Sequence, residues 1–203
     1  MRKIILTIAL AFAAAVAFGQ DLSISAGYVR ATHIYDNNTS KLPFNGFYAG
    51  LGAEWKLDQN FGFATGLYYE FDATSSTISA WGASAGATTT EHYIDIPLHF
   101  AAGFEVAQGV RLFLEIGPAL SVGLASTTTG NINILGIKIK DASNNYDGGT
   151  YGRFDLGIGG IGGIQVGAIK VFGGYNYGLI DRNSSQNTVL NRSQVVAGIA
   201  YCL

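Results

Sequence analysis

The chain has 203 residues and a formal net charge of −2, and only 13% of it is Asp, Glu, Lys or Arg, about half the charged share of an average soluble domain. A single cysteine, Cys202, excludes an internal disulfide and a cysteine-based zinc framework, and the slight acidity offers nothing to a nucleic acid. Against that sparse charge stand 28 Gly, 11 Tyr and 12 Phe.

The first element reads as an export signal. "MRKIILTIALAFAAAVAFGQ" places Arg2 and Lys3 before an apolar run, Ile4 to Val16, and then the small-x-small site Ala17-Phe18-Gly19. Residues 1–19 are therefore expected to be a signal peptide and residues 20–203 one domain. No Cys follows the cleavage site, so a lipid anchor is not expected. No later run approaches the ~18 uninterrupted apolar residues of a spanning helix.

Beyond the signal, period-two alternation recurs and helical periodicity is nearly absent. Eight segments follow in order: 22–32, 44–57, 61–73, 92–106, 110–124, 151–166, 169–179 and 192–203. "DQN" (58–60), "AQG" (107–109) and "GA" (167–168) connect three pairs as tight turns. The other connections, 33–43, 74–91, 125–150 and 180–191, are long and rich in Thr, Ser, Asn and Gly, and read as loops. Short turns at one rim and long loops at the other are the pattern of an outer-membrane barrel.

The stretch "VRLFLEIGPALSVGL" (110–124) decides which face is inside. One parity carries Leu112, Leu114, Ile116, Leu120 and Val122. The other carries Arg111, Phe113, Glu115, Gly117, Ala119 and Ser121. A soluble barrel would turn the apolar parity inward and fill the other with charge. Here the second parity is mostly small, which suits a narrow eight-stranded lumen, so the apolar parity is assigned to lipid. Outward aromatics fall in two groups: Trp55, Phe61, Phe63, Phe104 and Tyr201 towards the short turns, and Phe47, Tyr69, Phe71, Phe154 and Tyr177 towards the loops. They match two interfacial girdles. Pro118, which lacks an N–H, marks a possible bulge that would shift this parity. The expected fold is all-β, an eight-stranded antiparallel up-and-down transmembrane β-barrel.

At "YIDIPLHFAAGFEV" and "VRLFLEIGPALSVGL" the chain resembles the PorT-like family of small Gram-negative outer-membrane β-barrel proteins. The shared features are Ile96-Pro97-Leu98 on one strand and Leu114-Glu115-Ile116-Gly117-Pro118-Ala119-Leu120 on the next. "RFDLGIGGIGGIQV", "GGYNYGL" and an alternating terminal strand follow in family order. Many such barrels end on Phe, whereas this chain ends on Leu203. Val195, Ala197, Ile199, Tyr201 and Leu203 still resemble a signal for the outer-membrane assembly machinery. The resemblance implies fold and an outer-membrane location among lipid and lipopolysaccharide, but no single activity.

Chemistry-bearing patterns are few. "GIGGIG" (157–162) fits a dinucleotide fingerprint only if a helix follows, and strand and turn follow instead. Its glycines read as relief of crowding in a small barrel. His33, His92 and His99 are the only histidines. Strand parity sends His92 and His99 to opposite faces, so no metal site is expected. Lipid-A deacylase barrels need a Ser/His pair on late strands, and no His follows His99. No catalytic residue and no cofactor is assigned. Three Asn-x-Ser/Thr sites, at Asn37, Asn183 and Asn191, read as polar loop sequence.

Inward charges form two expected clusters. Near the short turns stand Glu54, Lys56, Glu105, Arg111, Glu115 and Lys170, with Glu105 and Arg111 as cross-strand neighbours. Nearer the loops stand Glu70, Asp72, Asp95, Asp155, Arg153 and Arg192, an acidic set. Buried charges persist when paired, so both clusters are expected to plug the lumen; a narrow ion path is the functional alternative. Within 125–150, "NINILGIKIK" alternates about a glycine and predicts a β-ribbon beyond the membrane. Function is expected to be non-enzymatic: an envelope or surface role in which the long loops meet an extracellular or envelope partner. A narrow channel or small-solute binder is the second class, and a membrane-embedded lipid hydrolase the third.

Overall fold

The computed structural model describes residues 21–35, 40–81, 83–134, 137–147, 151–183 and 189–203. The expected signal peptide, 1–19, and the Asn37 site lie outside them. Nine strands follow in order: β1 (Asp21–Tyr35), β2 (Ser40–Lys56), β3 (Phe61–Ala80), β4 (Ala83–Ala107), β5 (Val110–Ile134), β6 (Ile137–Asn144), β7 (Phe154–Val166), β8 (Ile169–Gly178) and β9 (Leu190–Cys202). Eight of them close a ring in which every neighbour is antiparallel, with β9 returning to β1. Closure leaves no unpaired edge in the wall, which is the condition for a sheet to cross lipid.

The short turns form for local reasons. Asp58 accepts hydrogen bonds from the Asn60 and Phe61 amides at 2.7 and 2.8 Å. Gly109 and Gly167 take left-handed backbone, φ 73° and 56°, where a side chain would be strained. Parity along β5 follows the expected assignment: Leu112, Leu114 and Ile116 are exposed, while Phe113 and Ala119 are buried in the lumen. Phe61, Phe63, Phe100 and Phe104 pack on one another near the short turns, and Phe47 packs on Phe71 at the far side of the apolar belt. Beyond Tyr28 and Phe47 the outer face turns to Arg30 and Asn45, both exposed.

Pro118 does not shift the register. The ladder pairs Pro97 with Ala119 and Phe100 with Ile116 on one count, so parity runs through the proline unchanged. The bulge sits higher. Tyr93 pairs with Gly123 and His92 with Ala125, so Leu124 is the extra residue and Ser126, not Ala125, faces inward.

Three of the four long connections, 33–43, 74–91 and 125–150, are shorter than the sequence suggested, because the strands continue into them, whereas 180–191 remains the link between β8 and β9. The 74–91 stretch, read as a loop, is a hairpin: β3 runs to Ala80 and β4 starts at Ala83. Thr88, Thr89 and Thr90 pair with Thr129, Thr128 and Thr127, and the Thr89 and Thr128 hydroxyls lie 3.0 Å apart. Threonine is β-branched and favours strands, but a sheet wet on both faces shows no apolar alternation. The expected ribbon in 125–150 is present as upper β5 paired with β6. It is half of a larger object: β3, β4, β5 and β6 rise together as a four-stranded sheet beyond the belt.

Gly117 illustrates how tightly the wall is drawn. A Cβ there would fall 2.3 Å from the Leu98 carbonyl oxygen and 3.0 Å from the His99 Cα, both backbone. Gly117→Ser is therefore expected to displace the β4–β5 ladder rather than to be tolerated as an inward polar change. A fall of several degrees in the temperature at which the compact, unboiled form disappears on a gel is the expected result. An unchanged transition would mean that the strands can part at no cost.

Candidate functional site

The charged lumen is built from inward positions on strands far apart in the chain. In the lower layer Glu54 of β2 accepts from Lys170 of β8 at 3.1 Å and lies 3.6 Å from Arg111 of β5. Lys170 is 3.9 Å from Glu115, which is 3.9 Å from His99 Nδ1. Room for Arg111 comes from a glycine, since a Cβ on Gly103 would fall 2.1 Å from the Arg111 Nε. Lys56 sits at the rim, 2.5 Å from Asp21. Glu105 is the register partner of Arg111, as its place beside the turn suggested. Its carboxylate nevertheless accepts from the Gly109 amide at 3.0 Å, and the Arg111 guanidinium turns to Glu54. Glu54, Arg111, Glu115 and Lys170 are thus brought together, with Lys56 and Glu105 outside them.

Removing Glu54 should cost about 3 kcal/mol, because Arg111 then loses its carboxylate partner and Lys170 keeps only Glu115, at 3.9 Å, in a poorly solvated lumen. Glu105→Ala, at the wet rim, should cost less than about 0.5 kcal/mol. Urea titration of the folded protein in detergent micelles distinguishes them. Adding Lys170→Ala to Glu54→Ala should recover part of the loss.

Above this layer Tyr48, Tyr68 and Phe172 fill the lumen around a cavity of about 120 Å³, which Asp95, His99 and Gln194 also line. Inner-face glycines make the space for the rings: a Cβ on Gly66 would fall 2.2 Å from the Tyr68 ring, and one on Gly198 2.2 Å from the Tyr48 hydroxyl.

The upper layer is almost fully buried. Arg192 of β9 donates to Asp72 at 2.7 Å and to Glu70, and Gln194 donates to the other Glu70 oxygen at 2.6 Å. The Arg192 guanidinium lies 4.2 Å from the Tyr93 ring centre. Arg182, from the segment after β8, is 1% exposed and donates to the Tyr93 hydroxyl at 2.6 Å. Burial opposes the Arg182 charge, but the nearby Tyr93 and Glu91 offset that and hold the guanidinium above its ordinary range. Tyr93 in turn donates to Glu91 at 2.7 Å, and Glu91 also takes a bond from Ser126 and lies 3.0 Å from His33 Nε2.

Of the upper residues chosen from sequence, Glu70, Asp72 and Arg192 meet in this layer. Asp95 is bonded by the Ser121 hydroxyl. Asp155 is buried beside Gly178, where a Cβ would fall 2.4 Å from its carboxylate. Arg153 does not enter the lumen layer. It donates to the Leu124 carbonyl at 3.0 Å and lies 4.4 Å over the Tyr146 ring. His33, Glu91, Tyr93 and Arg182 complete the layer and were not assigned to it. His33, Glu91 and Arg182 fall in stretches read as loops, while Tyr93 carries the inward parity of β4 and could have been found from it.

The arrangement lines the lumen with stacked ion pairs and aromatic rings around that cavity. Among the described residues no group of three or more His, Cys, Asp or Glu is placed to hold a metal ion. His92 points outward, 2.6 Å from the Tyr69 hydroxyl, and His99 inward, as strand parity required.

Among curated proteins nothing matches the chain. Solved structures of small barrels are similar at low identity. The attachment invasion locus protein Ail of Yersinia pestis is 13% identical with a TM-score of 0.38, over 91% of this chain and 99% of that one. Neisserial surface protein A is 12% identical with a TM-score of 0.42, over 89% and 96%. The outer membrane enzyme PagL is 12% identical with a TM-score of 0.39, over 89% and 98%. A family model described as "outer membrane protein beta-barrel domain" matches residues 10–182, and the strand beyond that match, β9, is the one that closes the ring. The chain belongs to the family of outer membrane protein beta-barrel domains.

Proposed function

We propose that this barrel is a non-enzymatic envelope protein, exported by residues 1–19, whose β3–β6 sheet stands outside the cell and engages a partner there. The observation that carries the reading is the continuation of four strands beyond the apolar belt. A barrel that served only as an anchor could end in tight turns at both rims, as this one does at the lower rim. Here the upper wall extends instead into a sheet of Ser, Thr and Asn that no lipid would cover. Beneath it the lumen is filled by paired charges and by the Tyr48, Tyr68 and Phe172 rings, which supports a role for the sheet above rather than for the bore. The Ile96-Pro97-Leu98 and Leu114–Leu120 motifs support a place among PorT-like barrels within the family.

Replacing 76–87 and 129–142 by tight turns tests the reading. The trimmed protein should still fold and remain heat-modifiable, since the ring of paired strands lies below both cuts. Binding of expressing cells to host cells, matrix or neighbouring bacteria should fall to background. Full binding by the trimmed protein would refute the reading. The cavity of about 120 Å³ favours the second reading, a narrow channel or small-solute binder. Stepwise conductance of the intact protein in planar bilayers would favour it over the first.

A further inference from the structure

Most cations of the ring are already paired. Arg111, Lys170 and Arg192 face inward onto carboxylates, and Lys56 at the lower rim is paired with Asp21. Arg30 of β1 and Lys41 of β2 differ. Both carry the outward parity and both are exposed. Among the described residues no hydrogen bond or ion pair reaches either of them. Both stand above the upper aromatic girdle, so the unpaired cations on the outside of the ring face one leaflet only.

The register places them on one patch. Arg30 lies opposite Asn45, two residues beyond the Tyr28–Phe47 pair, and Lys41 lies opposite Ile34, four residues further along β2. Thr32 and Pro43 fill the row between. Tyr28 donates to Asn45 Oδ1 at 2.5 Å, which leaves the Asn45 amide nitrogen to donate beside Arg30. The outer rows through the two cations, Val195–Arg30–Asn45–Ala73 and Asn191–Ile34–Lys41, contain no carboxylate. Asp72 and Glu91, at the same level, point into the lumen and are fully buried. Exposed Asp181, beside the start of β9, is turned to the Asn183 and Leu190 amides. The patch offers positive charge and donors with no anion of its own.

Height identifies the anion. At ordinary strand rise and barrel tilt the Arg30 backbone is about 5 Å above the girdle and that of Lys41 about 14 Å. A phospholipid headgroup layer is about 5–8 Å deep, so Arg30 lies within such a layer and Lys41 above it. Only a headgroup that continues outward meets both. We propose that Arg30, Asn45 and Lys41 bind the phosphorylated sugar headgroup of a lipopolysaccharide in the protein's own outer leaflet. Arg30 takes a phosphate at the acyl boundary, and Lys41 takes one on the sugars above it. A guanidinium offers a phosphate a planar fork, and an ammonium offers a point charge that tolerates a range of positions. The acyl chains of the same molecule lie on Tyr28 and Phe47, both half-exposed just below. The site depends on the outer-membrane location and on the rim of long strands facing outward. It is independent of what the β3–β6 sheet engages.

The test uses the full barrel in non-ionic detergent micelles, with one lipid added at a time and its retention read by native mass spectrometry. The lipids are lipopolysaccharide with a phosphorylated core, bisphosphorylated lipid A, the same lipid A after phosphatase treatment, and phosphatidylglycerol. Lipopolysaccharide and lipid A should be held about tenfold or more tightly than dephosphorylated lipid A. Arg30→Gln should weaken both about fivefold. Lys41→Gln should weaken lipopolysaccharide about fivefold and lipid A less, because its phosphate lies on the outer sugars. The double variant should lose about twentyfold on lipopolysaccharide. Lys140→Gln, on β6 and remote from β1 and β2, should change nothing. All three substitutions are at exposed sites, and unchanged heat-modifiability shows that the barrel is intact. Full retention of lipopolysaccharide by the double variant, or equal retention of the dephosphorylated lipid, overturns the proposal. So does phosphatidylglycerol held as tightly as lipopolysaccharide and released by Arg30→Gln alone, which would mark an ordinary headgroup contact.

Discussion

Arg192→Ala should destabilise the folded barrel by about 3–5 kcal/mol, the largest loss expected from any single lumen substitution. Arg192 is 2% exposed and bridges Glu70 and Asp72, which are as deeply buried. Without the guanidinium, two carboxylates face each other in a lumen that water barely enters. Arg182 is not placed against either carboxylate: its guanidinium donates to the Tyr93 hydroxyl, on the Glu91 side of the layer. Arg192→Lys should recover only part of the loss, since an ammonium is a point charge and cannot reach two acceptors with a fixed fork. Arg192→Ala combined with Glu70→Gln and Asp72→Asn should recover most of it, because removing all the charge leaves nothing uncompensated. The urea midpoint in micelles reports each variant. If the single substitution matched the triple, the three groups would not be acting as a paired layer.

The wall was legible because one face is lipid and the other is lumen, so every strand inside the belt carries an apolar period of two. That is why Leu112, Leu114 and Ile116 could be turned outward and Arg111, Phe113 and Glu115 inward from the sequence alone. Where both faces are wet, the period disappears. Residues 74–91 therefore looked like a loop, although their threonines pair in ladder with those of β5. The Leu124 bulge was equally hidden, because an extra residue in "VGLAS" leaves no compositional trace, whereas Pro118, an obvious suspect, is accommodated without any shift. The lumen charges could be recognised as inward by parity, but their partners could not. Glu54 and Lys170 meet across 116 residues of chain, and ring closure, not neighbourhood in sequence, decides that pairing. Local reasoning joined Glu105 to Arg111 for the same reason it missed Arg182, which reaches the upper layer only because the segment after β8 folds back into the mouth.

Leu114→Arg should abolish stable assembly into the outer membrane. Leu114 lies on β5 near the middle of the apolar belt, paired with Ala102 on one side and Gly162 on the other, and is 49% exposed to the surrounding medium. Those small neighbours offer an arginine no acceptor. A guanidinium at that depth costs about 2–4 kcal/mol on the lipid face of a barrel. The control is the same side chain on the same face of the same strand, higher up. Above the Leu124 bulge the outer parity of β5 changes from even to odd, so Thr129 continues the outer face beyond the belt. Thr129→Arg should be nearly silent, within about 0.5 kcal/mol. Membrane fractionation and heat-modifiability of the two variants separate medium from packing, because both add the same bulk and charge. Equal damage from both would mean that the outer face of β5 meets one medium throughout, and the belt would have to be redrawn. A harmless Leu114→Arg with a damaging Thr129→Arg would place the bilayer at the level of the sheet. The contrast also depends on the bulge: without it Thr129 would face inward above the upper charged layer, where an added arginine would meet Arg182 and Arg192.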